Sequence, residues 1–116
     1  MTMDPTAHST WNDFQRVGLR AGTVRSVELF AQARQSAYKM WIDFGPFGIK
    51  PSSAQLTALY QPGDLIGRQV ICATGLGAKR VAGFKSEVLV TGFAREDGVV
   101  VLATPERTVA DGSPLC

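Results

Sequence analysis

The stretch that decides the fold is "VGLRAGTVRSVEL", residues 17–29. Apolar and polar side chains alternate at its start, as they do in a strand with one buried face. Gly22 then interrupts the alternation, and the register slips twice before Leu29. A long strand slips in this way when it bends at a glycine or a bulge and pairs with two neighbours. The segment therefore predicts a bent first strand that serves two sheets.

The segment "AYKMWIDFG", residues 37–45, predicts the second strand. Tyr38, Met40 and Ile42 point to one face, and Lys39 and Trp41 point to the other. After the "GPFG" turn, "IK" opens a short third strand, and the helical spacing of residues 52–60 follows it. We expect a short helix there, capped by one of the serines and stopped by a Pro-Gly pair; these residues are Ser52, Ser53, Pro62 and Gly63.

Two further strands follow, "RQVICAT" at residues 68–74 and "SEVLVTGFA" at residues 86–94. The Asp-Gly pair at 97–98 predicts a hairpin turn into "VVVLAT". The order is three strands, a short helix, two strands and an appended hairpin partner. That order predicts an all-β domain: a five-stranded Greek-key barrel of the OB type, with extra C-terminal strands. An SH3-like barrel is the alternative, but it has no helix at that point.

The length of 116 residues fits one domain, which we place at residues 13–116 behind a flexible leader, residues 1–12. The net charge is only +2, so nucleic-acid binding would have to rest on local clusters of cations. Cys72 in an apolar run and Cys116 at the end of the sequence predict no disulfide. With no visible signal peptide or membrane-spanning run, this cysteine usage predicts a cytoplasmic protein without membrane insertion.

The sequence does not predict an enzyme. His8 is the single histidine and lies in the leader, so no His-based triad or metal site is expected. The run "GLGAKR", residues 75–80, has glycines but neither the spacing nor the following helix of a phosphate loop. We expect no catalytic residue, no metal and no cofactor.

The positive charge is concentrated instead in the connections that flank the ligand face of an OB barrel. The connection "FAQARQS", residues 30–36, carries Arg34, and residues 75–90 carry Lys79, Arg80 and Lys85. If the two connections meet, they form a funnel for a phosphate backbone, with Trp41 and Phe84 available for stacking. The plain alternatives are a solvated turn for the cations, a core position for Phe84 and a subunit contact for Trp41.

Four blocks of the sequence resemble the CsaA branch of the tRNA-binding domain family. They are "LRAGTVRSVE", "ARQSAYKMWIDFG", "GIKPSSAQLTALYQPGDLIGRQV" and "KRVAGFKSEVLVTG", and they lie within residues 14–112. The resemblance implies an OB fold, a homodimer, tRNA binding and a chaperone role in protein export. The pattern of residues and the resemblance together predict eleven candidate residues for RNA or peptide binding. They are Arg34, Tyr38, Lys50, Ser52, Ser53, Lys79, Arg80, Phe84, Lys85, Ser86 and Glu87.

Two departures from the synthetase-type members favour the CsaA branch. The turn after strand one reads "FAQARQS" where those members carry a His-Pro-Asp-Ala-Asp-like turn, and Ser-Glu-Val-Leu replaces Ser-Glu-Gly-Met. The alternative function is a peptide-binding cytoplasmic chaperone for unfolded precursor proteins, acting with the export machinery and without a physiological RNA ligand. For the homodimer we expect residues 11–20 and the C-terminal hairpin to form the interface.

Overall fold

The computed structural model of the chain describes residues 7–116, and its centre is the bent first strand. Strand β1 (Leu19–Leu29) pairs antiparallel with β4 (Gln69–Ala73) along its first half and with β2 (Tyr38–Asp43) along its second half. The register shifts once, at a bulge between Val24 and Ser26. At Gly22 a Cβ atom would lie 2.6 Å from Cγ2 of Ile42, so only glycine fits where the strand bends over the core. The predicted bent strand is confirmed.

One antiparallel sheet in the order β3-β2-β1-β4-β7 forms most of the barrel wall. Its edge strands are β3 (Ile49–Ala54) and β7 (Leu89–Val90). The barrel nearly closes because the Ser53 amide donates to Oγ of Ser86 over 3.0 Å, and the Glu87 amide donates to the Pro51 carbonyl over 2.8 Å. The predicted OB-type barrel is confirmed.

The interior of the barrel follows the alternation in the sequence. Tyr38, Met40 and Ile42 are buried, whereas Lys39 and Trp41 on the other face of β2 are half-buried. Cys72 is fully buried, and this burial raises the pKa of its thiol to about 12, while Cys116 is exposed and both are free. Other large side chains that are fully buried are Val24, Phe44, Leu65 and Val70.

A short helix lies between the third and fourth strands, but later in the chain than predicted. Helix α2 (Pro62–Leu65) begins at the proline that was expected to stop a helix, and residues 52–54 belong to β3. Proline suits a first helical position, where its fixed φ is already helical and its missing N–H has no partner to lose. The Gln61 amide donates to the Asp64 carboxylate over 2.8 Å and secures the first turn. The predicted capping role of Ser52 and Ser53 is therefore wrong.

The expected fifth strand, residues 86–94, is three short strands with three different partners. Residues 87–88 and 91 are not in strand conformation, so each short strand can turn to a different neighbour. The predicted hairpin turn at Asp97–Gly98 is confirmed, and Gly98 has a positive φ of 82°. Besides β7, the strands of this region are β5 (Lys79–Val81), β6 (Phe84–Ser86), β8 (Gly92–Ala94) and β9 (Val100–Leu102). Strand β6 pairs with β5, β7 pairs with β4, and β8 pairs with β9.

The two ends of the described chain flank β1. Helix α1 (Trp11–Val17), which sequence reasoning missed, begins two residues before the expected domain start and is capped by Thr10, whose hydroxyl accepts from the Asp13 amide. The first half of the expected leader, residues 1–6, lies outside the described residues. At the other end, the Leu115 amide donates to the Leu19 carbonyl over 2.8 Å. No helix among residues 7–116 has the length and apolarity that crossing a bilayer requires.

Candidate nucleic-acid interface

The basic stretch of the sequence folds as a two-stranded hairpin, which we call the basic hairpin, residues 79–86. Strands β5 and β6 are joined by Ala82 and Gly83, whose φ angles are 45° and 82°. Two consecutive positive φ angles are the signature of a type I′ turn, whose twist matches that of the flanking strands. The predicted connection, residues 75–90, therefore contains a strand pair, and Lys79 and Arg80 lie in its first strand.

The pairing within the basic hairpin sets two cations against each other. Arg80 is the cross-strand partner of Lys85, and directly opposed residues share a face of the ribbon. Arg80 also donates from Nη1 to the Gly83 carbonyl over 3.1 Å. Within the part of the chain described here, Lys79, Arg80 and Lys85 form no salt bridge, and all are exposed. This like-charge arrangement is unfavourable by itself and favours an anionic ligand.

The other face of the basic hairpin packs on an aromatic cluster formed by Phe30, Trp41 and Phe84. The Phe84 ring meets the Phe30 and Trp41 rings edge to face, at centroid distances of 5.5 Å and 5.9 Å. The Lys39 ammonium lies 4.8 Å from the Phe30 centroid and 5.1 Å from that of Phe84. A cation at this distance is attracted by the ring quadrupole, so Lys39 ties the two rings together. Because Phe84 contacts other rings by its edge and face, it is no free stacking platform.

The aromatic cluster brings the two predicted connections together. Phe30 begins the connection between β1 and β2, and it contacts Phe84 of the basic hairpin. Hydrogen bonds from the Phe30 amide to Ala37 and from the Ala33 amide to Phe30 hold this connection as a compact loop. Arg34 lies exposed in the same loop, and it forms no ion pair with any residue from 7 to 116. The two basic elements are therefore in contact through Phe30 and Phe84.

Three of the predicted binding residues are buried and support the surface from beneath. Tyr38 is 5% exposed and donates its hydroxyl to the Tyr60 carbonyl over 2.8 Å. Ser52 is fully buried, and Ser86 accepts from the Ser53 amide, so their hydroxyls face protein groups. The burial of Tyr38, Ser52 and Ser86 favours a supporting role for them over direct ligand contact. Ser53 is half-buried on the outer side of β3.

A cleft of about 380 Å³ opens beside the basic hairpin and gathers the remaining predicted residues. Lys50, Lys85 and Glu87 line it, together with Arg20 and Phe47, which sequence reasoning missed. The Arg20 guanidinium lies 4.1 Å above the centre of the Phe47 ring, and its Nη1 donates to the Gly112 carbonyl over 2.8 Å. The other lining residues are Phe44, Thr74, Gly77, Ala78 and Val88.

Phe47 reaches this cleft because of a single helical turn of the 3₁₀ type, Gly45–Phe47, that follows β2. The Gly45 amide donates to the Asp43 carboxylate over 2.8 Å, and Arg25 pairs with the same carboxylate over 3.0 Å. These two contacts, the Gly45 amide first, hold the pKa of Asp43 below its ordinary value. The position of Phe47 thus depends on an anchored turn, which no local pattern in the sequence reveals.

Neither this region nor the rest of residues 7–116 contains a set of metal ligands. No three side chains of His, Cys, Asp or Glu are grouped so that they could hold an ion. The surface combines exposed positive charge without an ion-pair partner among residues 7–116, aromatic rings and a concave site, which are the elements of non-covalent recognition.

Comparison with known proteins gives a family match and similar solved structures. Residues 19–114 match the family model described as a putative tRNA binding domain. The chaperone CsaA from Bacillus anthracis is 46% identical, with a TM-score of 0.88, over 95% of this chain and 100% of that one. The CsaA chaperone protein from Picrophilus torridus is 38% identical, with a TM-score of 0.86, over 94% of this chain and 100% of that one.

Longer proteins share the domain. The methionine–tRNA ligase of Methanococcoides burtonii is 27% identical over 104 residues, and that of Salinibacter ruber is 30% identical over 104 residues. The alignments cover 90% of this chain but only 15% and 14% of those ligases. The shared part is therefore a domain, and the similarity does not extend over the rest of the ligases.

Proposed function

The chain belongs to the tRNA-binding domain family, in its CsaA branch, and on that premise we propose that it binds tRNA through the basic hairpin and the loop that carries Arg34. In this proposal the protein is a non-catalytic binding protein of the cytoplasm. Lys79, Arg80 and Lys85 contact phosphates, and the aromatic cluster fixes the angle between the two basic elements.

The observation that carries the proposal is the group of three exposed cations on the basic hairpin, none of which forms a salt bridge within residues 7–116. The whole chain carries only +2, so this local excess is not a by-product of a basic composition. Phosphate contacts supply most sequence-independent affinity for nucleic acids, because binding releases condensed counterions. Non-specific contact with the backbone of a structured RNA is the function that fits this arrangement.

The test compares two double variants that remove the same charge. We expect Lys79→Ala with Arg80→Ala to weaken tRNA binding about 10-fold or more at low salt and to lower the salt slope by about 1–2. The control is Arg95→Ala with Arg107→Ala, because these exposed arginines each pair with a neighbouring acid, Asp97 or Glu106. Titrations at several salt concentrations measure both. Equal curves for the two double variants would remove the basic hairpin from the interface.

A second candidate function is a chaperone that holds unfolded precursor segments for the export machinery. Two observations favour it: the similar solved structures are named chaperones, and Leu76 is 59% exposed next to the basic hairpin. Apolar contact would dominate such binding, so it should survive high salt, unlike phosphate contact.

One series of titrations separates the two functions. An unfolded precursor peptide and tRNA are each titrated at low and at high salt, and then one against the other. Saturable peptide binding at high salt supports the chaperone function, and competition with tRNA would place both ligands on one surface. A peptide that shows no saturation at either salt concentration excludes this second candidate.

We also propose a homodimer. Helix α1 buries none of its residues, and Trp11 and Phe14 on it are 89% and 40% exposed. Large apolar side chains that are exposed on a short helix favour an interface in which a second copy of the chain buries them. Two basic hairpins on one particle would then raise the avidity for a bent RNA.

A further inference from the structure

We propose that the cleft beside the basic hairpin is a subsite for one unpaired nucleotide of the bound RNA. The proposal rests on the proposed function, because it assumes that RNA is the ligand. It adds a second kind of contact, in which a concave site takes the base and the sugar-phosphate of a single nucleotide that is not part of a helix.

The charges around the cleft favour an anion. Arg20, Lys50 and Lys85 line it against a single carboxylate, that of Glu87. None of these four groups forms a salt bridge within residues 7–116, so the positive charge is not neutralised by the protein. Lys50 and Lys85 present compact ammonium groups, which suit the oxygens of a phosphate.

The apolar and planar groups of the cleft favour a ligand that carries a base as well as a phosphate. Phe44, Phe47 and Val88 form part of the wall. The Arg20 guanidinium carbon lies over the Phe47 ring, 4.1 Å from its centre, and the group is fixed by its hydrogen bond to the Gly112 carbonyl. Bases of single-stranded RNA stack on aromatic rings and on guanidinium planes held in this way. We therefore place the base against the face of the Arg20 guanidinium that Phe47 leaves uncovered.

The size of the cleft selects a single nucleotide. A volume of about 380 Å³ lies at the lower end of the range of small-molecule sites, which suits one nucleotide. A paired base would also need to leave its stack to enter a concave site. The nucleotide is therefore one from a loop, a bulge or an end.

Polar groups at the rim can contact the base edge or the sugar. Glu87 accepts hydrogen bonds, and the Thr74 hydroxyl, which donates to Gly18 over 2.6 Å, can also accept one. Gly77 has a φ of 84°, and a Cβ built on it would meet nothing within 4 Å, so its backbone is open to the cleft. These groups give the site hydrogen-bonding capacity beyond the three cations.

The first experiment titrates the full chain with AMP, CMP, GMP, UMP and inorganic phosphate while the amide NMR signals of Thr74, Gly77 and Ala78 are followed. We expect saturable shifts with at least one nucleoside monophosphate and about 10-fold weaker binding of inorganic phosphate, because phosphate lacks the base that stacks on the guanidinium. Equal affinity for phosphate and for all four monophosphates, or no shifts at these amides, would overturn the proposal.

The second experiment uses variants of the cleft. Arg20→Lys keeps the charge and removes the planar stack, so it should weaken the binding of the favoured monophosphate at least 5-fold and leave phosphate binding unchanged. Lys50→Met should weaken both ligands, and Arg107→Gln, outside the cleft lining, should weaken neither. Equal loss of monophosphate binding in Arg20→Lys and Arg107→Gln would contradict the stacking role.

The proposed tRNA binding and the proposed nucleotide subsite can be tested separately. If wild-type protein binds tRNA and Lys79→Ala with Arg80→Ala reduces that binding, but neither Arg20→Lys nor Lys50→Met changes it, the proposed function stands and the subsite is overturned. If wild-type protein binds monophosphates at these amides but binds no tRNA, the proposed function falls and with it the assignment of the subsite to RNA.

Discussion

Phe84 is the residue at which the parts of the candidate interface meet. Its ring contacts Phe30 of the β1–β2 connection and Trp41 of the sheet, while the next residue, Lys85, lines the cleft. Alternation along a strand makes this possible, because neighbouring side chains point to opposite faces. The three-residue strand β6 therefore contacts the aromatic cluster with one side chain and lines the cleft with the next.

The two cysteines differ in accessibility and give a prediction at this scale. Cys72 is fully buried with its thiol pKa raised to about 12, whereas Cys116 is exposed. Because only the thiolate reacts, we expect one fast-reacting thiol per native chain at pH 8 and two in denaturant. A chromogenic disulfide reagent measures both, and Cys116→Ser should abolish the fast phase. A fast phase that survives in that variant would contradict the burial of Cys72.

The exposure of individual residues was predictable from sequence where charge alone places a side chain on the surface. Lys79, Arg80 and Lys85 are exposed as expected, since a cation without a partner is rarely buried. Tyr38 is buried because the alternation that predicts its strand also directs its side chain into the core. Arg20 was missed because its role depends on Phe47 and Gly112, which are distant in sequence and meet it only in the folded chain.

At the scale of elements, the basic hairpin holds a local conflict. Ala82 occupies the first position of the type I′ turn with a φ of 45°, where L-residues other than Asn and Asp are disfavoured. We expect Ala82→Asn to stabilise the basic hairpin by up to about 1 kcal/mol, because Asn-Gly is the preferred pair in this turn. Slower amide hydrogen exchange across β5 and β6 is the expected readout.

A matched variant changes the same position in the opposite direction. Ala82→Val places a β-branched side chain at positive φ and should speed the exchange of the same amides. If the conformation of the ribbon limits binding, tRNA affinity should rise in Ala82→Asn and fall in Ala82→Val, since a preordered surface loses less entropy on binding. Identical exchange rates in both variants would show that the turn does not limit the order of the ribbon.

The elements themselves were predictable to different degrees. The alternation over residues 17–45 identified β1 and β2, because each has one face in the core. The helix was displaced by about ten residues because Pro62 serves equally well as a stop signal and as a first helical residue. The division of residues 84–94 into β6, β7 and β8 follows from three different pairing partners, which a local pattern does not contain.

At the scale of the whole molecule, the exposed side chains of α1 lead to a prediction about assembly. We expect light scattering at micromolar concentration to give twice the 12.5 kDa mass of one chain. Trp11→Asp should shift the protein toward the monomer, because a charge would be buried in an apolar contact. Leu59→Asp is the control, since Leu59 is 43% exposed outside α1 and the C-terminal hairpin. A monomer mass for the wild type would reject the homodimer.

The opposed pair of Arg80 and Lys85 also has a consequence for handling the protein. We expect an exposed hairpin that holds two like charges face to face to bind dense polyanions, whether phosphorylated or sulfated. Preparations will therefore carry over cellular polynucleotides unless they are washed in concentrated electrolyte, and a heparin column should retain the protein despite its small overall charge.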